Sequence, residues 1–295
     1  YYTNGGGDAH IGRVADDGSL ADGLPTLDAV EHFGLLCLPG ETDVDVLGAA
    51  LAYAERRQAF LLVDPPGEDL LAAGALARAL AESGAANAAV FYPNLREAGE
   101  PDAVRLRAPS GTVAGIYART DRSRGVWAPP AGAQALLLGL DGPAAELKEP
   151  DLAALQAAGV NGIRTLPGGT AVLWDARTVQ GADTSGSEWR YVSVRRVSLY
   201  LESSLDRGLQ WTVFEPNDES LWASVRRAVD AFLHNLWRAG ALVGRTPDEA
   251  YFVSCDRSTM SQEDLDNGRL RVVAGFAPLK PAEFVIVAVT KPPTH

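Results

Sequence analysis

Apolar and polar positions follow two periods along this chain. Over 44–57 and 70–83, alanine and leucine recur at helical spacing, and two amphipathic helices are expected there. Between and after them lie short runs that are apolar throughout: LLCLPG within 24–40, FLLVDPPG at 60–67 and AAVFYPNL at 88–95. Runs of that length, bounded by Pro and Gly, read as strands buried on both faces. A short helix is expected before the first of them. Strands alternating with helices imply a mostly parallel sheet covered on both sides. The rhythm continues with a small-residue helix over 111–118, a polar loop TDRSRG, and then QALLLGLDG, LQAAGVNGIRTLPGG and TAVLWDARTV as strand, helix, turn and strand. The opening YYTNGGGDAHIGRV reads as a strand, a glycine turn and a second strand.

Residues 179–188 are polar and glycine-containing, as a linker or surface loop is. Beyond them the character changes. RYVSVRRVSLYLESSLDRGLQ reads as a long amphipathic helix, and 211–242 gives the clearest single pattern in the chain. Leu221, Trp222, Val225, Val229, Phe232, Leu233, Leu236 and Trp237 recur at spacings of three and four and share one side. Asn217 and Asp218 suit the helix start, where Asp218 and Glu219 also set negative charge at the positive end of the dipole. Gly240 fits a left-handed stop, and Arg238 suits the negative end. YFVSCD follows as a strand, SQEDLDNGRL as a polar loop, and LRVVAGFAP and AEFVIVAVT as closing strands. The division expected is an α/β domain over 1–188 and an α+β domain over 189–295.

At 295 residues and 46% hydrophobic, the chain is large enough for two cores of ordinary composition. Its formal charge of −12 argues against general nucleic-acid binding, which needs a basic footprint. Within that acidic body, 190–245 holds 8 Arg against 6 acids, a net of +2, so the remainder sums to −14. A locally basic helix on an acidic body suggests a surface that meets something acidic, and a solvated face with internal ion pairs accounts for the same charges equally well. No apolar run approaches the length of a membrane span. Cys37 and Cys255 have no metal-type spacing and are expected as free thiols. The chain opens on Tyr1-Tyr2 without an initiator methionine, so an upstream segment is expected.

The catalytic motifs fail in turn. There is no phosphate loop and no G-x-S-x-G elbow. The four histidines, His10, His32, His234 and His295, never stand four apart, which excludes a helical two-histidine metal site. Asp64-Pro65-Pro66 lacks the aromatic and the glycine-rich loop of a methyltransferase and reads as a turn that ends a strand. Asp64, His32 and a serine such as Ser110 are the residues a hydrolase triad would use, without a diagnostic context. No catalytic, cofactor-binding or metal residue is assigned. A soluble α/β hydrolase-like enzyme with a small C-terminal domain stands as the alternative reading.

Phe284, Val285, Ile286, Val287, Ala288 and Val289 are apolar in succession, so this closing strand needs cover on both faces and partners on its edges. An interior strand of its own domain satisfies that. A terminal strand also adds readily to a neighbouring subunit's sheet.

Four segments, in order, resemble a known family. APSGTVAGIYARTDRSRGVWAPPAG, AGVNGIRTLPGGTAVLWDARTV, FEPNDESLW with FLHNLWRAGALVG, and PAEFVIVAVT are similar to segments of contractile tail sheath proteins of phage tails, phage-tail-like bacteriocins and extracellular contractile injection systems. The resemblance implies a structural protein with a subtilisin-like, non-catalytic α/β domain, no cofactor, and a C-terminal sheath domain. It implies six-fold rings stacked in a helix around an inner tube, with baseplate and terminal cap proteins as further partners. It implies assembly in the bacterial cytoplasm into a phage tail or phage-tail-like particle, with no direct membrane insertion. Under it, 284–289 becomes the inter-subunit strand, and Arg226, Arg227 and Arg238 become contacts to tube carboxylates. A baseplate component is a third reading.

Overall fold

A computed structural model describes residues 1–12, 23–97, 105–279 and 285–291, the last of these by backbone alone. The chain divides into two compact units, Tyr1–Arg196 and Val197–His295.

Unit 1 is built on the apolar runs. β1 (Leu35–Cys37), β2 (Phe60–Val63), β3 (Ala88–Tyr92) and β7 (Val160–Thr165) pair in parallel, and β8 (Ala171–Leu173) closes the sheet antiparallel to β7. All four residues of β2 and all five of β3 are buried. Such strands need helices on both faces, and the intervening sequence supplies them. α1 (Val44–Arg56), α2 (Leu70–Ala81) and α4 (Glu149–Ala157) give Leu47, Leu51, Ala54, Leu76, Ala77 and Leu155 to one core, together with Leu61, Val63 and Val90 from the strands. Alternate strand residues point the other way. There Phe91 meets Tyr117 of α3 (Ser110–Arg124) edge to face, with ring centroids 6.2 Å apart. β4 (Leu95–Glu97), β5 (Leu106–Arg107) and β6 (Leu140–Pro143) form a second, small antiparallel sheet.

Three local expectations need correction in unit 1. The opening is a 3-10 turn, Tyr2–Asn4, and not a strand. Buried Asn4 fixes it: its side chain donates to the Leu138 carbonyl at 3.1 Å and accepts from the Leu138 amide at 2.8 Å. The turn lies against α3 at Gly115, where a Cβ would fall 2.3 Å from the Tyr1 carbonyl oxygen. The segment read as a polar loop, TDRSRG, instead continues α3 as far as Arg124. Its polar side chains have partners, since Thr120 donates to the Ile116 carbonyl and Arg122 to that of Gly5. Of QALLLGLDG, strand structure covers only Leu140 onward, apart from an isolated bridge at Leu136.

The boundary between the units falls within α5 (Val192–Gly208). In unit 2, α6 (Glu219–Arg238) is capped by Asp218, whose side chain accepts from the Leu221 amide at 3.0 Å. Leu221, Trp222, Val225, Val229, Leu233 and Leu236 are buried along one face. Residues 211–216 do not belong to the helix: Gln210–Thr212 is a 3-10 turn, and Pro216 lies outside α6. α7 (Pro247–Ala250) precedes β9 (Tyr251–Ser254). β10 (Leu270–Phe276) is the middle strand of an antiparallel sheet, with β9 on one side and β11 (Val285–Lys291) on the other. SQEDLDNGRL is not wholly loop. Ser261 and Asp264 form a reciprocal capping box that starts α8 (Gln262–Asp266).

Candidate functional site

The residues of the hypothetical triad are brought together only in part. Asp64, at the end of β2, and Ser110, first residue of α3, are both buried. Asp64 Oδ1 accepts from the Ser110 amide at 2.6 Å, and Oδ2 accepts from the Ser110 hydroxyl at 2.8 Å and the Gly40 amide at 2.9 Å. α3 has no side-chain cap of its own, so Asp64 caps it from across the sheet. His32 is exposed, while Asp64 and Ser110 are closed to solvent. Burial raises the Asp64 carboxyl above its ordinary range, against the three hydrogen bonds that pull it down. Cys37 Sγ lies 3.8 Å from the Ser110 carbonyl oxygen, and burial, with the charge of Asp64, pushes its thiol up to about 12. A serine that donates straight into a carboxylate and a thiol held protonated make a structural joint, without an imidazole to relay a proton. Among the described residues, no group of three or more His, Cys, Asp or Glu is placed to hold a metal.

A second polar joint lies within unit 1, at the start of α5. Buried Arg196 donates to both carboxylate oxygens of Asp121 on α3, at 2.8 and 2.6 Å, and its guanidinium lies 5.1 Å from the Tyr117 ring centroid. Arg195 donates to Asn87 Oδ1 at 2.6 Å and lies over the Trp189 ring. Part of the basic character of 190–245 is thus internal pairing, which charge counting cannot distinguish from a binding surface.

The remaining arginines of that stretch separate. Arg226 is half-buried: it donates to the Cys255 carbonyl and pairs with Glu219 at 3.1 Å. Arg227 is exposed, and its hydrogen bonds go to its own helix, to the Ala223 carbonyl at 3.2 Å and Ser224 Oγ at 3.1 Å. Arg238 is exposed in the last turn of α6. Eleven residues apart, Arg227 and Arg238 share one helical face, and Arg226 lies about 100° round from Arg227.

The closing strand is paired within its own chain. β11 runs antiparallel to β10 in unbroken register, from Leu270 opposite Lys291 to Phe276 opposite Val285. It is an outer strand of the sheet. Val285, Ile286, Val287, Ala288 and Val289 lie in it, and Phe284 falls outside the described residues.

Two features escaped sequence reasoning. One is an exposed aromatic pair, Trp211 and Phe214, in the connection between α5 and α6. Pro216, followed by two capping residues, was the available signal that the helix begins later than Trp211. The other is an open cleft of about 470 Å³ between α6 and the strand β9. Tyr251 lines it and donates to Asp230 Oδ1 at 3.2 Å; burial and then the Asp230 charge push its hydroxyl up to about 12.

Comparison with known proteins places this architecture. The model of the phage tail sheath protein central domain matches residues 19–179, and that of the phage tail sheath C-terminal domain matches 184–290. The chain belongs to the phage tail sheath protein family. It is similar to the sheath chain of the anti-feeding prophage helical sheath in contracted state, with 33% identity and a TM-score of 0.77, over 97% of this chain and 78% of that one. A chain in the anti-feeding prophage baseplate is similar at 32% identity and TM-score 0.75, over 93% of this chain and 73% of that one. The tail sheath protein of Vibrio phage KVP40 is 25% identical over 177 residues, which is 60% of this chain. The chain spans a quarter of that curated relative's length.

Proposed function

We propose that this chain is the structural subunit of a contractile sheath. It polymerises as stacked six-fold rings around an inner tube and shortens to drive the tube through a target envelope. The observation that supports this best is the ordered match of both sheath domains along one chain, together with a fold similarity spanning 97% of it to a helical sheath. Other copies of the chain and a baseplate are partners by likeness to the anti-feeding prophage particle. The tube, a terminal cap protein and assembly in the bacterial cytoplasm belong to the same reading, and so does a subtilisin-like, non-catalytic fold for the α/β domain over 1–188. The closed Asp64–Ser110 joint favours this reading over the hydrolase alternative.

In this reading 284–289 takes part in strand exchange. One edge of β11 is bonded to β10 and the other is the outermost of the sheet, where a neighbouring chain would find a row of main-chain donors and acceptors. Of the three arginines, Arg238 is carried forward as the contact to tube carboxylates, because Arg226 is engaged internally and Arg227 borders the cleft. Exposed ion pairs contribute about 0.2–1 kcal/mol each. Contacts of that size add along a polymer and still release one by one. The extended sheath is held away from its free-energy minimum by the tube and baseplate, and release lets subunits repack into a shorter, wider lattice.

Sedimentation tests the assembly. Full-length chain should form pelletable polymer, and deleting 284–291 should abolish the pellet while leaving the far-ultraviolet signal of unit 1 in place. Undiminished pelleting of the deletion would rule out strand exchange. Arg238→Glu should reduce co-sedimentation with tube protein and leave sheath polymer intact; unchanged tube binding would remove Arg238 from the interface.

A further inference from the structure

Three of the seven asparagines precede glycine: Asn4-Gly5, Asn161-Gly162 and Asn267-Gly268. In such a pair the glycine brings no Cβ to shield its backbone nitrogen from the asparagine side chain. Attack of that nitrogen on the side-chain carbonyl closes a five-membered ring. How firmly the fold holds the two groups apart decides whether the ring can form.

The three pairs are held very differently. Asn4 is 2% exposed, its side chain exchanges two hydrogen bonds with Leu138, and the Gly5 amide donates to the Tyr2 carbonyl at 3.0 Å. Asn161 is 0% exposed within β7. Its Nδ2 donates to the Val90 and Arg177 carbonyls at 3.0 and 2.8 Å, and its Oδ1 accepts from the Arg177 amide at 2.6 Å. Freeing either side chain breaks contacts to distant parts of the chain and so needs a broad opening of unit 1. Asn267 and Gly268 are exposed. Among the described residues, their hydrogen bonds reach back only to Glu263. Asn267 Nδ2 donates to the Glu263 carbonyl at 2.8 Å, the Asn267 amide to the same carbonyl at 3.0 Å, and the Gly268 amide to the Leu265 carbonyl at 3.1 Å. These bonds close the last turn of α8, which is five residues long, and a helix that short frays readily. A Cβ built on Gly268 would meet nothing within 4 Å, so the space around its nitrogen is open.

We infer that Asn267 is a site of self-modification, at which the Gly268 nitrogen displaces the side-chain amide. The new bond joins Gly268 N to Asn267 Cγ. The Cγ–Nδ2 bond breaks, and its nitrogen leaves as ammonia with the proton of the Gly268 amide. Water, the one co-reactant, then opens the ring at either of its carbonyls and leaves aspartate or its β-linked isomer, isoaspartate. The chemistry belongs to the isolated subunit and stands apart from the sheath reading.

Its place in the fold gives the change a consequence. Aspartate at 267 loses the donor to the Glu263 carbonyl and sets a carboxylate beside it, close to Glu263, Asp264 and Asp266. Isoaspartate also lengthens the backbone by one atom. The residues that follow are fixed and cannot absorb it: the Arg269 amide donates to the Asp264 carbonyl at 2.7 Å, and the Arg269 carbonyl accepts from Asn217 at 3.2 Å. Leu270 then opens β10 opposite Lys291. The modified chain therefore loosens at the last turn of α8 and the adjoining end of β10.

The test uses the unsubstituted full chain, kept folded for weeks at mildly alkaline pH and mapped by mass spectrometry of its peptides. Asn267 should gain the mass difference between amide and acid about tenfold or more faster than Asn4 or Asn161. Isoaspartate at 267 should be detected by isoaspartyl methyl-transfer labelling. In urea, where the fold no longer protects any of them, the three pairs should convert at similar rates. If Asn267 stays as intact in the folded chain as the two buried asparagines, the site is overturned. If its preference is as large in urea, local sequence and not the fold selects it, and the argument from burial falls. Asn267→Asp reproduces one product directly. It should speed hydrogen exchange at the amides of 265–270 and leave 272–276 protected; unchanged exchange over 265–270 would contradict the loosening.

Discussion

Asp64 shows how one residue type serves opposite ends. In a hydrolase an aspartate orients a histidine. Here it satisfies the amides of Gly40 and Ser110 and joins β2 to α3. Asp64→Ala leaves those buried donors without an acceptor, and each such loss costs about 1–3 kcal/mol. Asp64→Asn keeps a single acceptor oxygen and should lose roughly the lower part of that range. Because burial raises the folded-state pKa, the contribution of Asp64 is complete below the ordinary aspartate value and shrinks as pH rises through the raised one. Chemical denaturation at pH 4 and 7 should therefore show Asp64→Asn closing on the unsubstituted chain at the higher pH. A gap that widens with pH would mean that the hydrogen bonds outweigh desolvation. At the other joint, Arg196→Met abandons a bidentate pair and should cost about 1.5–3 kcal/mol, with Arg196→Lys recovering only part. The sequence announced Asp64 as the end of a strand. It could not announce the partnership with Ser110, because the two stand 46 positions apart and only the sheet brings them together.

Elements were legible where their period was long and their burial one-sided. α1, α2 and α6 follow from apolar spacing, and the parallel order of β1, β2 and β3 follows from runs buried on both faces. Elements with mixed surroundings were not. The first part of α3 is buried on nearly every side, by the sheet and by the opening turn, whereas Arg122, Ser123 and Arg124 at its far end are exposed, so no apolar stripe runs on and that end reads as a loop. The opening turn is fixed by Asn4 to a backbone more than a hundred residues away, and local pattern does not encode that. Gly115→Ala tests this packing. Alanine favours the helix by about 1 kcal/mol, yet its Cβ would displace the Tyr1 carbonyl. Residues 1–6 should lose hydrogen-exchange protection while α3 keeps its own; unchanged protection at Asn4 would refute the packing. Asp218→Ala should destabilise unit 2 by about 1 kcal/mol through loss of the α6 cap, read from urea denaturation.

At the scale of the whole molecule, the absence of a catalytic constellation in the sequence and an ordered run of family segments led to one class of protein, and the matches to both sheath domains agree. In the proposed function the chain would act less through a pocket than through its outer strand β11 and the exposed cation of Arg238. Such features take their meaning from other copies and other chains, so a single sequence supplies them only through its likeness to the sheath family and cannot pair them. Cryo-electron microscopy of the full-length chain, alone and with its tube protein, tests the central claim most directly. Hollow, ridged cylinders with six-fold symmetry about their axis, changing in diameter when the tube is present, are the predicted result. Uniform small particles under all assembly conditions would contradict it.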